Sequence, residues 1–172
     1  MVYHSSYNEV QGCRQMCNMS ILPLRTKYKG PAPQLKEDKP DVIDEALRFF
    51  KANVLFRNYE VKGPADRVLL WLTYYAKQCL KKIEKSSKQD AEKVLYQFAI
   101  ENFQIPGDSG FVFGGFFHNP KGRQEADTVR AYFTQMRQEL GVRLIELVYK
   151  NNPNAPSKWW TCFNKRKFMN LA

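Results

Sequence analysis

The sequence is poor in the side chains that usually carry catalysis or hold metal ions. Among its 172 residues are only two histidines, His4 and His118, and four cysteines. Cys13 and Cys17 are the only closely spaced pair, and no second cysteine or histidine pair lies nearby, so their spacing does not fit a zinc site. No P-loop lysine motif and no G-x-G-x-x-G after a strand is present. We therefore expect no metal, no cofactor and no enzymatic activity.

Long hydrophobic runs and export signals are also lacking. The longest apolar stretch, residues 68–76, is about half of the roughly 20 residues that a membrane-spanning helix needs. Residues 1–17 are polar almost throughout and show no hydrophobic region of a signal peptide. Together with unpaired thiols, this pattern predicts a cytoplasmic protein without membrane insertion.

One short string, GDSG at residues 107–110, resembles a catalytic motif. Chymotrypsin-like proteases carry such a string around their nucleophilic serine, and Ser109 would then need a histidine base and a buried aspartate. Neither histidine sits in that family's histidine motif, and the helical pattern of the chain contradicts a double β-barrel. Both observations disfavour a hydrolase that uses Ser109 with His118, which we keep only as an alternative. We interpret the string as part of a Pro-Gly-Asp-Ser-Gly turn.

Positive charge and aromatic side chains are what the sequence has in excess. There are 27 Lys and Arg against 17 Asp and Glu, a net charge of +10, where small domains usually carry about 2 to 8. This charge predicts an acidic partner, which nucleic acid, anionic lipid or an acidic protein would all satisfy. Hydrophobic residues make up 44% of the chain and aromatics 14%, enough for a sizeable core.

Apolar periodicity predicts an all-α fold with one compact domain of about five helices. Long helices are predicted from residue 41, over 63–85, from near 87 and over 124–149, with a short one from Ser157 to about Phe168. Asp41, Ser87 and Ser157 are the predicted N-terminal caps. The fourth helix should carry a surface pair of Glu139 with Arg143 and bury a stripe of apolar residues: Val129, Phe133, Met136, Leu140, Leu144 and Leu147. The second helix is apolar in every direction at residues 68–72, so the others should surround it. Residues 1–40 are rich in proline towards their end, and proline disfavours helix because it lacks a backbone donor. We therefore predict an extended N-terminal arm outside the core at 1–40, followed by a helical domain at 41–172.

The segment at 156–170, PSKWWTCFNKRKFMN, combines two tryptophans with four basic residues and no acid. A helical spacing of four predicts that Trp159 faces the core with Phe163, while Trp160 projects from another side with the basic triplet 165–167. Alternatively, both tryptophans belong to the core and the triplet is a solvated rim. A protein interface fits the composition best, because buried Trp and Arg with a charged rim are typical of one. A basic RNA-binding accessory protein is the alternative.

Five stretches follow one another over nearly the whole chain: YHSS at 3–6, NMSILPLRTKYKGPAP at 18–33, IDEALRFFKANVLFRNYEVKGPADR at 43–67, IPGDSGF at 105–111 and PSKWWTCFNKRKFMN at 156–170. They resemble the family of subunit 3 of the actin-related protein 2/3 complex. The resemblance implies a compact helical, non-enzymatic structural subunit of a hetero-oligomer that nucleates branched actin filaments. It also implies packing on the larger actin-related protein, contact with the other subunits and the mother filament, no nucleic acid, and a place in the actin-rich cortex and cell projections.

The arm and the C-terminal segment are the predicted contact surfaces. Because actin surfaces are acidic, the positive charge predicts an electrostatic attraction to the filament that weakens with salt. The interface candidates, chosen for their cationic or aromatic character, are Arg25, Lys27, Lys29, Trp159, Trp160, Lys165, Arg166, Lys167 and Phe168.

Overall fold

Five α-helices and one short β-ribbon form the fold in the computed structural model, which describes residues 1–171. A short 3-10 helix at Ser6–Glu9 precedes strands β1 (Gln15–Met16) and β2 (Met19–Ser20). The helices are α1 (Val42–Asn53), α2 (Pro64–Lys82), α3 (Lys88–Ile100), α4 (Arg123–Val148) and α5 (Lys158–Thr161). The prediction of a mostly helical, single compact domain with five helices is confirmed. The stricter prediction of an all-α fold is wrong, because β1 and β2 pair as an antiparallel ribbon.

The ribbon is closed by a two-residue turn. Cys17 and Asn18 both have positive φ angles, 53° and 66°, as the commonest two-residue hairpin turn requires. The Asn-Gly or Asp-Gly pair that usually signals this turn is absent from the sequence. Each strand has only two residues, which is too short to show an alternating pattern.

Helix α2 lies at the centre of the core, as its uniformly apolar sequence predicted. Leu69, Leu70, Trp71 and Leu72 are all buried. The helices α1, α3 and α4 and strand β2 all pack against α2. Trp71 stacks on Phe133 of α4 with the ring centroids 4.2 Å apart. A helix that is apolar all round thus finds protein on every side.

Capping side chains mark the helix starts that the sequence predicted. The Asp41 carboxylate accepts from the backbone N–H of Asp44 at 3.0 Å, and the Asp44 carboxylate accepts from that of Asp41 at 3.1 Å. This reciprocal arrangement satisfies two backbone donors that the first turn leaves unpaired. Ser87 and Ser157 likewise accept from backbone N–H groups at the starts of α3 and α5.

Residues 1–40 contain no α-helix, but their side chains reach into the core. Met19, Leu22 and Leu24 are fully buried and belong to the same hydrophobic cluster as the helices. The backbone N–H of Leu22 also donates to the hydroxyl of Tyr132 on α4 at 3.0 Å. The prediction that this segment lies outside the core is therefore wrong, because prolines exclude helix without saying which side chains are buried. The division of the chain at residue 40 stays a prediction.

The buried face of α4 differs from its predicted stripe at the C-terminal end. Most of the predicted core residues are buried: Val129, Phe133, Met136, Leu140 and Leu144. Leu147 is 41% exposed, and Ile145 and Val148 are buried in its place. Leu147 lies 18 residues after Val129, which is five turns at 3.6 residues per turn, so the periodicity of the helix alone would bury both side chains. Leu147 is exposed because it lines an open groove beside Leu47 and Trp160.

The loop between α3 and α4 contains the predicted turn at GDSG. The backbone N–H of Asp108 donates to the carbonyl of Ile105 at 3.0 Å, and the Asp108 carboxylate accepts from the N–H of Ile105 at 2.9 Å. Ser109 and His118 are both exposed. The interpretation of this string as a turn is confirmed. Within residues 1–171, no helix combines the length and the apolar character needed to cross a membrane.

Candidate protein interface

A network of ion pairs fastens the first forty residues to helices α1 and α4. Arg143 donates to the two carboxylate oxygens of the fully buried Asp41 at 2.6 and 2.8 Å and to Asp44 at 3.0 Å. It also donates to Glu139 at 2.9 Å and to the backbone carbonyl of Arg25 at 2.6 Å. The side chain of Arg25 pairs with Asp44, and its backbone N–H donates to Asp41. The candidate residue Arg25 therefore already has acidic partners within the chain.

The mutual contacts of these residues stabilise their charges. Burial alone would raise the pKa of Asp41, but hydrogen bonds from Arg143 and from the backbone of Asp44 and Arg25 outweigh it and lower this pKa. Burial opposes the charge of Arg143 as well, and pairing with Asp41, Glu139 and Asp44 nevertheless raises its pKa. Asp41 and Arg143 therefore stay charged near neutral pH, and the hydrogen bonds that they make to Arg25 hold its backbone in place.

A second anchor holds the loop of residues 26–33 against α4. The side chain of Gln135, 2% exposed, accepts from the backbone N–H of Ala32 at 3.1 Å and donates to the carbonyl of Tyr28 at 3.0 Å. Gly30 lies against the same side chain, and a Cβ there would be only 2.3 Å from Gln135 Oε1. Two candidate residues on this loop are exposed, Lys27 and Lys29. Their charges are thus carried on a backbone that is held at several points.

The two tryptophans of the C-terminal segment have the opposite roles to those predicted. Trp159 is 80% exposed, whereas Trp160 stacks on Phe50 with the ring centroids 5.8 Å apart. Phe163 contacts the same ring of Phe50 edge-on at 5.9 Å. The prediction is wrong because α5 ends at Thr161. Phe163 therefore follows in a turn on the same side as Trp160, and its N–H donates to the Trp160 carbonyl at 3.2 Å.

Beyond α5 the chain turns back into the core instead of continuing as a helix to about residue 168. The Asn164 side chain donates to the carbonyl of Leu80 at 3.2 Å, and Phe168 is fully buried beside Phe113. Phe168 therefore has no exposed surface to offer a partner. The basic triplet that precedes it is exposed, and its side chains make no hydrogen bond or ion pair within residues 1–171: Lys165, Arg166 and Lys167.

A groove between α1, α4 and α5 adds an apolar surface that the sequence analysis missed. Its volume is about 620 Å³, and its walls include Leu47, Val142, Leu147 and Trp160. The side chains of Val142 and Leu147 are 47% and 41% exposed. At its edge, the Lys51 ammonium lies 4.6 Å from the ring centroid of Trp160. An apolar floor with a charged edge is the usual composition of a protein interface.

A smaller cavity continues this surface on the other side of α4. It measures about 220 Å³, and its lining includes Tyr28, Tyr96 and Val142. Because Val142 lines both depressions, the surface is continuous from the arm to the C-terminal segment. We call this surface the α4 face and define it by five residues: Tyr28, Tyr96, Val142, Leu147 and Trp160. The tertiary structure thus places Tyr28 of the arm and Trp160 of the C-terminal segment in two neighbouring depressions that share Val142.

Comparison with known proteins decides what kind of molecule carries these surfaces. A family model described as "P21-Arc: ARP2/3 complex ARPC3 (21 kDa) subunit" matches residues 1–172. The chain belongs to this family. Members of the ARPC3 family are structural subunits of the ARP2/3 complex and not enzymes. Within residues 1–171 of this family member, no three or more His, Cys, Asp or Glu side chains come together as metal ligands.

Relatives within the ARPC3 family align with the whole chain. A protein of Dictyostelium discoideum named "Actin-related protein 2/3 complex subunit 3" is 55% identical over 173 residues, which cover 100% of this chain and 99% of that protein. A protein of the same name from Schizosaccharomyces pombe is 45% identical over 170 residues, covering 99% and 98% of the two chains. One from Arabidopsis thaliana is 42% identical over 173 residues, covering 100% and 99%. The family resemblance seen in the five sequence stretches is therefore confirmed.

Proposed function

We propose that this ARPC3-family chain supports the nucleation of branched actin filaments by packing on the larger actin-related protein and contacting the mother filament. The matching family description supports its place in the ARP2/3 complex, and the names of its relatives refer to an actin-related protein complex. The observation that carries the proposal is the separation of the exposed surface into an apolar face and unpaired basic groups. Each kind of surface suits a different contact.

The α4 face is the surface that we assign to a neighbouring subunit. A stable interface buries at least about 1,200 Å² in total, or about 600 Å² on each partner. The total exposed surface of this chain is 9726 Å². An interface of that size, centred on the α4 face and the adjoining Trp159, would cover only a small part of this surface. Aromatic side chains at the centre of an interface usually carry much of its binding energy. Trp159 and Tyr96, 80% and 58% exposed, are the aromatic side chains with most surface left to bury.

The exposed basic groups are the surface that we assign to the mother filament. The triplet 165–167 and the loop lysines Lys27 and Lys29 have no acidic partner among residues 1–171, so their charges remain available. Contacts between opposite charges at a surface speed up association and weaken as salt rises. We place the subunit, with its complex, in the cytoplasmic actin cytoskeleton, at the cortex and in cell projections.

Two sets of substitutions in the reconstituted complex test the two assignments separately. Val142→Asp with Leu147→Asp should prevent co-purification with the complex, because two unpaired charges would be buried at the interface. Lys165→Glu, Arg166→Glu and Lys167→Glu together should leave assembly intact and reduce the density of branches on mother filaments. The reduction should be largest at low salt, where the charges are least screened.

A matched control for the triple change is Lys85→Glu, Lys93→Glu and Lys121→Glu, which alters the net charge equally at three other exposed positions. The control should branch normally. Normal branch density with the 165–167 triplet reversed would refute the filament contact, and unaltered co-purification of the α4 variant would refute the subunit contact. Tight binding of oligonucleotides without association to actin-related proteins would instead favour the RNA-binding alternative.

A further inference from the structure

A cavity between α2, α3, α4 and the loop after α3 is lined mainly by aromatic rings. Its volume is about 340 Å³, which lies within the usual range for small-ligand sites. The rings of Trp71, Tyr75, Phe98 and Phe103 form part of its walls. Among the residues of 1–171 that line it, Arg137 is the one with a charged side chain. The cavity is separate from the α4 face, so binding of a ligand there does not depend on the proposed function.

Arg137 has a structural task that uses two of its three guanidinium nitrogens. The side chain is buried, with 5% of the residue exposed. Its Nε donates to the carbonyl of Ala99 at 3.2 Å, and its Nη2 donates to the carbonyl of Phe98. These carbonyls belong to the last turn of α3, where a positive charge is favourable. The guanidinium also lies 4.3 Å from the ring centroid of Phe103 and 4.6 Å from that of Tyr75.

The remaining nitrogen has no hydrogen-bond partner, and the charge has no carboxylate partner. Nη1 of Arg137 donates no hydrogen bond within residues 1–171, and no carboxylate there forms an ion pair with it. Burial lowers the pKa of Arg137 below its ordinary value, and Tyr75, Cys79 and Glu101 partly oppose this shift. A buried charge is unfavourable unless an opposite charge or a set of hydrogen bonds compensates it. The cavity therefore has a cation on its wall and no anion to match it.

A second polar group of the same cavity wall is also unpaired. Tyr75 is 2% exposed, and its hydroxyl has no hydrogen-bond partner within residues 1–171. Burial raises the pKa of this hydroxyl, and the nearby thiol of Cys79 raises it further. Two buried polar side chains without full partners in one aromatic cavity indicate that the site is built for a polar ligand group.

We propose that this cavity binds a carboxylate carried on an apolar body. The carboxylate accepts from Nη1 of Arg137, and the apolar body lies between the aromatic walls. A single guanidinium suits the single charge of a carboxylate better than a phosphate, which usually collects several donors. The carboxylate could belong to a small molecule or to a partner polypeptide, through an acidic side chain or a chain terminus. Both sources present the same chemistry to Arg137.

Titration of the full chain with 2-naphthoate, followed by calorimetry, tests the site, with the neutral 2-naphthylmethanol as the matched probe. We expect naphthoate to bind about tenfold more tightly than the alcohol, because only naphthoate offers a charged acceptor. Arg137→Gln should reduce the affinity for naphthoate to that for the alcohol. Val112→Glu is the second variant: Val112 lines the cavity and is 38% exposed, so its replacement adds a competing carboxylate without emptying the core.

Repeating the titration on the assembled complex distinguishes the two sources. Binding to both the free chain and the complex indicates a small-molecule ligand. Binding to the free chain alone indicates that a partner polypeptide fills the cavity in the complex. Three results would overturn the inference: no binding of naphthoate up to about 1 mM, equal affinity for the two probes, or unchanged affinity for naphthoate in either folded variant.

Discussion

Replacement of Arg143 by methionine should cost about 3 kcal/mol of unfolding free energy at neutral pH. Both carboxylate oxygens of Asp41, whose side chain is 0% exposed, accept from Arg143 at 2.6 and 2.8 Å. Methionine keeps a long apolar side chain but leaves Asp41 with only the backbone N–H groups of Asp44 and Arg25. Breaking a buried ion pair by removing one partner costs about 3 to 5 kcal/mol. The two remaining donors place the expected value at the lower end.

The matched control for this change is Arg25→Met. Arg25 pairs with Asp44 in the same network, but their side chains are 41% and 30% exposed, and such pairs contribute about 1 kcal/mol or less. Urea unfolding followed by circular dichroism gives both values, provided that the m-value stays constant. Equal losses in the two variants would contradict the reasoning, because burial is what separates the two pairs.

The loss caused by Arg143→Met should also shrink as the pH falls. In the unaltered chain, burial would raise the pKa of Asp41, and hydrogen bonds from Arg143 and the neighbouring backbone lower it overall. A lowered folded-state pKa contributes stability that is present above the unfolded value, about 3.9, and is lost as the pH falls through the folded value. In the variant, burial is less opposed, so Asp41 takes up a proton at a higher pH and its unpaired charge disappears. A mutational loss that stays constant between about pH 7 and pH 3 would refute this account.

Four further substitutions have expected outcomes that urea unfolding can measure. Trp159→Ala should alter the free energy of unfolding by less than about 0.5 kcal/mol, whereas Trp160→Ala should lower it by about 2 kcal/mol. The reason is that only the ring of Trp160 packs on the core. Equal effects of the two substitutions would contradict the assigned orientations. Gly141→Ala should stabilise the chain by about 1 kcal/mol, because alanine favours the helical conformation more than glycine does. The added methyl group would lie 3.5 Å from its nearest neighbour, Leu95 of α3. A lower free energy of unfolding in this variant would show that α3 packs too closely for the methyl group. Gly30→Ala should cost about 1 to 3 kcal/mol through overlap with Gln135, and a neutral effect would mean that this side chain moves freely.

Much of the helical fold could be predicted because its signals are local. The caps at Asp41, Ser87 and Ser157 and the central position of α2 were read correctly from the sequence. The pair Glu139 and Arg143 was predicted from its spacing of four and is present at 2.9 Å. These features depend on residues within about one helical turn of each other, so they can be found from residues that are close together in the sequence.

The candidate interface was predicted only in part. The exposed lysines of the arm and the basic triplet were identified by their charge, and Trp159 is exposed although it was expected to face the core. Phe168 was chosen for its aromatic ring and proved to be buried. Val142 and Leu147 were missed, although a valine outside the apolar stripe of α4 is a signal that could have been noticed.

By itself, the sequence determined the helices, their caps, the excess of positive charge and the family to which the chain belongs. Tertiary structure alone decided that the arm packs into the core, which tryptophan is exposed, and that Tyr28 of the arm and Trp160 of the C-terminal segment line neighbouring depressions beside α4. The physical reason is distance along the chain. Arg143 and Asp41 are 102 residues apart in sequence, and no local pattern records that folding buries the two charges side by side.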